Sequence, residues 1–351
     1  MVKLYGSRVT RREDRARYDV IPTGSLGLDM ALRVGGWVCG RVHEIVGVPK
    51  SSKTTLCICS MREAMAKFPD RGVLYIDMEQ TFDDNWAALN GLDTESDRFF
   101  HEFPDHSEMA SDMLAAACDT KLFSLVVLDS VGAMETKAAM EMDASASSMG
   151  KGAQVITRMT KRAVSKARQN NITILLVNQL RANFNPVAMN DIPAGPKILR
   201  YMSTTQVDTA FTGETIKLDI DNETEEIGHQ FRTRVKRNKV AMDGPQATFY
   251  VLRTPTEKYG PAGIYRADEA YGVGVRTRVI LPTKEGGHMY QLPGVDKPLN
   301  GEAQTKAYLR EHPEVAAEVL KLAIATKAGD VRTEADISVV PDFSSEDSEA
   351  S

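Results

Sequence analysis

The 351-residue sequence predicts an α/β protein in which a mostly parallel sheet is flanked by helices and followed by a small α+β domain. Three observations predict it. Largely apolar runs, GVLYIDME (72–79), FSLVVLDS (123–130) and NITILLVNQ (171–179), fit parallel strands covered on both faces. Helix-patterned segments separate them, the alternation that gives a doubly wound core. Beyond Val207 the pattern changes to alternating strands with hairpin-like turns, and two helices close the chain.

In order, IPTGSLGLDMALRVGG (21–36) is a glycine-punctuated start with a short helical stretch from Leu26 to Leu32. RVHEIVG is a strand, and residues 53–68, KTTLCICSMREAMAKF, carry helical apolar spacing. QFRTRVKRNK and ATFYVLRT are later strands. After Pro298, two helices are expected, the second starting near Pro313, where proline suits a first turn. The segmentation is 1–20, a short N-terminal segment; 21–264, the core; 265–330, a small C-terminal domain; and 331–351, a tail ending PDFSSEDSEAS. No Lys or Arg follows Arg332, and the tail is expected to be disordered.

Apolar residues make up 42% and charged residues 26%, ordinary for a soluble globular chain. No run approaches the ~18 apolar residues of a membrane span. MVKLYGSRVTRRED lacks the apolar centre of a secretory signal. Cys39, Cys57, Cys59 and Cys118 lack paired C-x-x-C spacing and are expected to be reduced thiols. The expected compartment is cytoplasmic.

IVGVPKSSKTTL (45–56) nearly spells the phosphate-binding loop G-x-x-x-x-G-K-[ST]. The segment comprises Gly47, Val48, Pro49, Lys50, Ser51, Ser52, Lys53, Thr54 and Thr55, with a strand before it and a helix after it. Such loops point backbone N–H groups and a helix N-terminus at an anion. Lys53 would reach the β- and γ-phosphates, and the Thr54 hydroxyl would ligate Mg²⁺. Ser52 stands where the second glycine belongs. If that position needs φ > 0, a side chain costs about 1–2 kcal/mol. A folded scaffold absorbs that, and the serine side chain is placed either to crowd the phosphates or to supply one extra hydroxyl donor. Neighbouring Lys50 adds positive charge, so anion binding is expected to survive, and the hydrolysis rate is the quantity at risk.

Two further strand ends join the loop. Asp129 closes LVVLD, a position from which a carboxylate holds the Mg²⁺ shell. Glu79 follows VLYID and is placed to deprotonate an attacking water. Ligands of parallel sheets bind at strand C-termini, so a loop and two acids at three such ends point to one nucleotide–Mg²⁺ site.

The net charge of −5 hides an asymmetry. From Ala144 to Asn190 there is no Asp or Glu, while Lys151, Arg158, Lys161, Arg162, Lys166, Arg168 and Arg181 are present. That block favours a polyanionic partner despite the overall charge.

IPTGSLGLDMAL, GRVHEIVG…KTT, YIDMEQTFD, VVLDSVGAM, VNQLR and KRNK occur in the order and spacing of the RecA-type DNA strand-exchange recombinases, which this chain resembles over nearly its whole length. The imperfect loop is similar to that of the phage members. The resemblance implies a RecA-like ATPase core, ATP and Mg²⁺ as cofactors, and a DNA-dependent ATPase that forms a helical filament of its own copies on single-stranded DNA and exchanges strands with homologous double-stranded DNA in repair. It implies that Glu79 activates water and that Asp83 and Trp86 hold the adenine, Trp86 in a slot usually filled by a stacking tyrosine. Gln179 matches the γ-phosphate sensor. Arg237 and Lys239 match basic residues that act on the neighbouring subunit's ATP. The N-terminal segment matches a subunit-pairing strand, and the C-terminal domain a duplex-DNA-binding one. Single-strand-binding and loader proteins are further expected partners, and no membrane is.

By the same resemblance, DASASSMGKGAQ (143–154) and RANFNPVAMNDIPAGPK (181–197) correspond to DNA loops. Met149 and Phe184 are candidates to insert between bases, and Gly150, Lys151, Arg181 and Lys197 lie in the same segments. Arg158, Arg162 and Lys166 at i, i+4, i+8 form one helical stripe beside the first loop, with Lys161 adjacent. Gln154 replaces a common arginine, and Pro196 stiffens the second loop's end. Two alternatives stay open: a nucleotide-gated DNA-binding filament with hydrolysis impaired by Ser52, and a RecA-fold helicase.

Overall fold

The computed structural model describes residues 18–141, 151–181, 192–220, 223–284 and 287–329. Met149, Gly150, Phe184 and the tail lie outside them, as does most of the N-terminal segment. The chain divides into two compact units, 1–269 and 270–351.

In the first unit, β1 (Val20–Ile21) pairs with β2 (Trp37–Val38), and α1 (Leu26–Ala31) lies between them in sequence. Then come β3 (Val42–Gly47), α2 (Lys53–Lys67), β4 (Gly72–Asp77), α3 (Asp84–Leu89), β5 (Phe99–Glu102), α4 (Ser107–Asp119) and β6 (Phe123–Asp129). They are followed by α5 (Lys137–Met140), α6 (Lys151–Asn170), β7 (Thr173–Arg181), β8 (Ile192–Pro193) and α7 (Ile198–Met202). Two long strands, β9 (Thr205–Ile220) and β10 (Glu223–Asn238), lead to β11 (Gln246–Leu252), β12 (Gly263–Ile264) and α8 (Arg266–Arg276).

One sheet runs β12-β11-β10-β9-β3-β7-β6-β4-β5. From β9 to β5 every pairing is parallel, and β10, β11 and β12 extend it antiparallel. The alternating strands expected after Val207 therefore continue the same sheet. The apolar runs are apolar on both faces because both are covered. Ile45, Leu125, Val127, Leu175 and Val177 pack with Leu56, Ile58 and Met61 of α2. Val126, Leu128, Ile174 and Leu176 pack on the other side with Leu114 of α4 and Ile156, Met159 and Ala163 of α6. Strand β4 ends at Asp77, so Glu79 sits in the turn beyond it.

Gly24 of the TGSLGLD motif shows why that turn needs glycine. Its φ is +88°, and a Cβ there would lie 2.4 Å from Cys59 Cβ on α2. Ser25 caps α1 by accepting from Leu28 N at 3.2 Å, and its hydroxyl donates to Glu269 Oε1. Glu269 also accepts from Gly27 N at 3.2 Å, and Asp29 accepts from Thr23 N at 2.8 Å. Burial pushes Asp29 up to about 8 and Glu269 up to about 7, from 3.8 and 4.5. Both folded values exceed the unfolded ones, so the native state binds the extra protons, and stability falls as pH rises from about 4 through about 8. Thermal unfolding across that range should show the decline. Asp29→Asn keeps the acceptor and should flatten the curve and raise the melting temperature at pH 8; an unchanged slope would count against the burial argument.

The second unit holds a three-stranded antiparallel sheet of β13 (Leu281–Pro282), β14 (Met289–Gln291) and β15 (Leu299–Asn300), with α9 (Gly301–Glu311) and α10 (Pro313–Gly329). The boundary falls within α8, a few residues beyond the expected 264/265. Pro313 opens α10 as expected. Ile280, Leu292, Leu309 and Val319 form the buried centre of this unit. Among the described residues, no helix is long and apolar enough to cross a membrane.

Candidate functional site: a phosphate loop at the strand ends

The register aligns the site. Gly47 pairs with both Gln179 and Thr209, and Asp77 pairs with Asp129, so β3, β7, β4 and β6 end along one edge, which β9 passes at Thr209. At Gly47 a Cβ would lie 2.4 Å from both Ser51 Oγ and Thr209 O. The loop closes back on its own first residue, and only glycine leaves room. Thr209 Oγ1 donates to Ser51 O at 2.6 Å and ties the loop to β9. Lys50 and Ser52 both have positive φ, 59° and 60°. The left-handed geometry considered for Ser52 is therefore the observed one.

Lys53 opens α2, and its ammonium donates to the carbonyls of Gly47 at 3.2 Å and Val48 at 2.8 Å. Burial lowers its pKa, opposed by Asp129 and Glu79. Thr54 Oγ1 donates to Asp129 Oδ2 at 2.9 Å, and the Tyr75 hydroxyl donates to the same oxygen at 2.6 Å. Burial pushes Asp129 up to about 6, against those hydrogen bonds. A cation placed there would favour the carboxylate.

Glu79 is held from two sides: Oε1 accepts from Ser130 Oγ and from Gln179 Nε2, the latter at 2.7 Å. Its turn is fixed by Asp77, whose carboxylate accepts from the backbone N–H groups of Glu79, Gln80, Thr81 and Phe82 at 2.8–3.0 Å. Burial works against that carboxylate's charge, but His101, 3.5 Å away, and the amides of Phe82, Glu79 and Gln80 hold its pKa below the usual range.

Lys50, Ser51, Ser52, Lys53, Thr54 and Thr55 line a cleft of about 440 Å³ with Trp86, Phe231, Val251 and Arg253. Trp86 is steered by its indole N–H, which donates to Thr55 Oγ1 at 3.2 Å. Asp83 does not line the cleft. Its carboxylate caps α3, accepting from Trp86 N at 3.1 Å, and so positions the tryptophan. Val48 and Pro49 are exposed on the loop.

Arg237 and Lys239 lie away from this cleft. Arg237 donates to Arg200 O at 2.5 Å with its guanidinium 5.6 Å from the Tyr201 ring centre, and Lys239 donates to Tyr201 O. Both hold the C-terminal end of α7. The basic stripe is split. Arg158 and Lys161 are exposed on α6, whereas Arg162 and Lys166 approach Asp119 of α4 at 3.6 and 2.5 Å. Lys197 is exposed at the start of α7. Lys151 opens α6 and Arg181 closes β7; nothing is described of their side chains. Tyr75, Asp77, Ser130, Phe231, Val251 and Arg253 were not foreseen.

The ends of the second loop reach the site. Leu180 pairs with Pro193 and Arg181 with Ile192, and Ala194 N donates to Gln179 O at 2.9 Å. Asn178 Nδ2 donates to Ala194 O at 2.9 Å and to the buried Glu44 at 2.8 Å.

The residues fit a nucleoside triphosphate. The hydroxyls of Ser51 and Ser52 are shielded from solvent without a hydrogen-bond partner among the described residues, beside a cationic lysine at a helix N-terminus. Among those residues no group of three or more His, Cys, Asp or Glu is arranged for a metal ion. Mg²⁺ needs none, because it takes one or two protein oxygens and completes its shell with phosphates and water. Thr54 and Asp129, already in contact at 2.9 Å, would be that pair.

A parallel sheet with this loop, a carboxylate at the end of β6 across the intervening β7, and a poised glutamate defines a nucleotide-binding core of the P-loop class. The RecA N-terminal domain family matches residues 5–254, and the chain belongs to that family. At the level of the family this brings ATP and DNA binding and recombination. The crystal structure of the RadB recombinase is similar with a TM-score of 0.51 and 20% identity, over 66% of this chain and 96% of that one, which shows the shared fold.

Proposed function

We propose that the protein is a DNA-dependent ATPase that forms an ATP-gated filament on single-stranded DNA and carries out homologous pairing and strand exchange. The observation that carries this reading is the placement of Gln179. Its side chain bonds Glu79 on the nucleotide side, and its backbone bonds Ala194 where the second loop returns. One residue thus touches both the hydrolytic acid and a DNA loop.

In this reading the loop N–H groups and Lys53 hold the phosphates, releasing the lysine from its own loop carbonyls. Thr54 and Asp129 would hold Mg²⁺, which when bound would supply charge neutralisation to the phosphates. Glu79 takes a proton from the attacking water. Trp86, Phe231 and Val251 offer flat and apolar surface to the base. Arg237 and Lys239 reach the neighbouring subunit's nucleotide, which accords with their absence from the lining of this subunit's cleft. The 265–330 domain contacts the duplex, and the site of action is the cytoplasm. The non-glycine residue at 52 supports a place near the phage members of the family.

Arg158 and Lys161, which among the described residues make no ion pair, whereas Arg162 and Lys166 meet Asp119, are the phosphate contacts of α6. Single-strand binding should weaken linearly in log–log plots against salt, and each neutralisation, Arg158→Gln or Lys161→Gln, should lower the slope by roughly one. Salt-insensitive binding at saturating ATP would contradict the phosphate contacts. The deciding assay is exchange between a circular single strand and a linear duplex, with ATP and with a slowly hydrolysed analogue. Joint molecules with both nucleotides, and release only with ATP, support the reading. Ring-dependent unwinding would favour a helicase. Nucleotide-gated binding without pairing or turnover would favour the non-hydrolytic filament, which the strained Ser52 keeps in contention.

A further inference from the structure

We propose that the Ser52 hydroxyl is a phosphate ligand, donating a hydrogen bond to the nucleotide's phosphate chain in place of the room a glycine would leave. The proposal rests on the nucleotide-binding reading above and adds a side-chain contact that the phosphate-loop pattern does not contain.

Four observations converge on this hydroxyl. Ser52 is left-handed, at φ 60° and ψ 24°, where a side chain is strained. It heads a 15-residue helix, the place where serine ordinarily caps, yet its side chain makes no cap hydrogen bond. Its Oγ is shielded from solvent and has no partner among the described residues. The residue lines the same cleft as Lys53 and Thr54. A serine that only tolerated the turn would cap the helix or face water. This one bears both backbone strain and an unpaired buried hydroxyl, and both costs are offset if an acceptor binds beside it.

The chemistry of the acceptor follows from the neighbours. Lys53 brings positive charge, and the N-terminus of α2 presents N–H groups, so the polar side chains beside Ser52 in the cleft, Lys50, Ser51, Lys53 and Thr54, all carry donors. The matching ligand accepts only and carries negative charge, as a phosphate oxygen does. Ser51, 1% exposed and likewise without a partner, adds a second such hydroxyl next to it.

Binding of ATPγS and of inorganic tripolyphosphate, measured by calorimetry, tests the proposal with Ser52→Gly and Ser52→Ala. Both variants should lose about tenfold or more in affinity for each probe, as for a hydrogen bond to a charged group. Ser52→Gly, free of the left-handed strain, should melt above wild type when nucleotide-free while binding more weakly. Ser52→Gly binding ATPγS as tightly as wild type overturns the proposal, and because glycine suits this backbone, misfolding cannot mask that result. Lys53→Ala separates the two levels. Lys53-dependent binding in wild type with Ser52→Gly unchanged removes only the hydroxyl contact; no Lys53-dependent binding removes the nucleotide reading as well.

Discussion

Glu79→Gln is expected to lower ATP turnover by roughly 10²–10⁴-fold while nucleotide and DNA binding persist. The substitution removes the proton acceptor and little else. Glu79 Oε1 accepts from both Ser130 and Gln179, and a glutamine carbonyl accepts from the same two donors. The turn that carries it is fixed by Asp77 through four backbone amides, so the side chain's placement does not depend on its own charge. Pre-steady-state phosphate release measures the loss. In the proposed reading, where hydrolysis releases the DNA, filaments of the variant should outlast those of wild type after dilution. Turnover within a few-fold of wild type would move the general base elsewhere.

Gln179→Ala is the second large effect, and it falls on coupling rather than on chemistry. The Gln179 side chain is the link from Glu79 to the strand that ends in the second loop, and its backbone bond to Ala194 survives the truncation. The variant should bind ATP nearly as wild type does but lose the nucleotide-dependent gain in single-strand affinity. Coupling free energies of 1–3 kcal/mol correspond to roughly 5–150-fold, so the ratio of affinities with and without ATP should fall towards one. Oligonucleotide anisotropy titrations in both conditions measure that ratio; retention of the full ratio would show that the signal travels by another route.

What the sequence disclosed about this site follows the range of the interactions. The phosphate loop, Asp129 and Glu79 were legible because each lies on or just past an apolar strand, and a parallel sheet collects such ends along one edge. The base side of the cleft was not. Phe231, Val251 and Arg253 come from the antiparallel extension, far along the chain from Lys53, and no local motif marks them. Asp77 was passed over for Glu79 because both follow the same apolar run, and only the folded turn shows that one builds the loop and the other faces the site. Tyr75 reads as one more apolar residue of its strand, yet its hydroxyl fixes Asp129.

The basic block shows the opposite failure. Helical spacing correctly put Arg158, Arg162 and Lys166 on one side of α6, but a period says nothing of what packs against it. Asp119 arrives from α4, and it takes Arg162 and Lys166. Likewise Asp83 carries the right charge to contact a base, while the local geometry makes it the cap that sets Trp86. The fold itself was read more fully than the site, since covered parallel strands announce themselves by composition. The continuation of the sheet through β10 to β12 was not announced, because half-exposed antiparallel strands look alike whether they join a sheet or form their own.

The central claim is that triphosphate at the strand-end cleft organises the DNA-binding loops. Labelled oligodeoxythymidylate, titrated at fixed salt with ATPγS and again after enzymatic removal of all nucleotide, tests it most directly. The account predicts affinity at least several-fold higher with ATPγS, with Gln179→Ala abolishing the difference; equal affinity of the wild type in both states would contradict it.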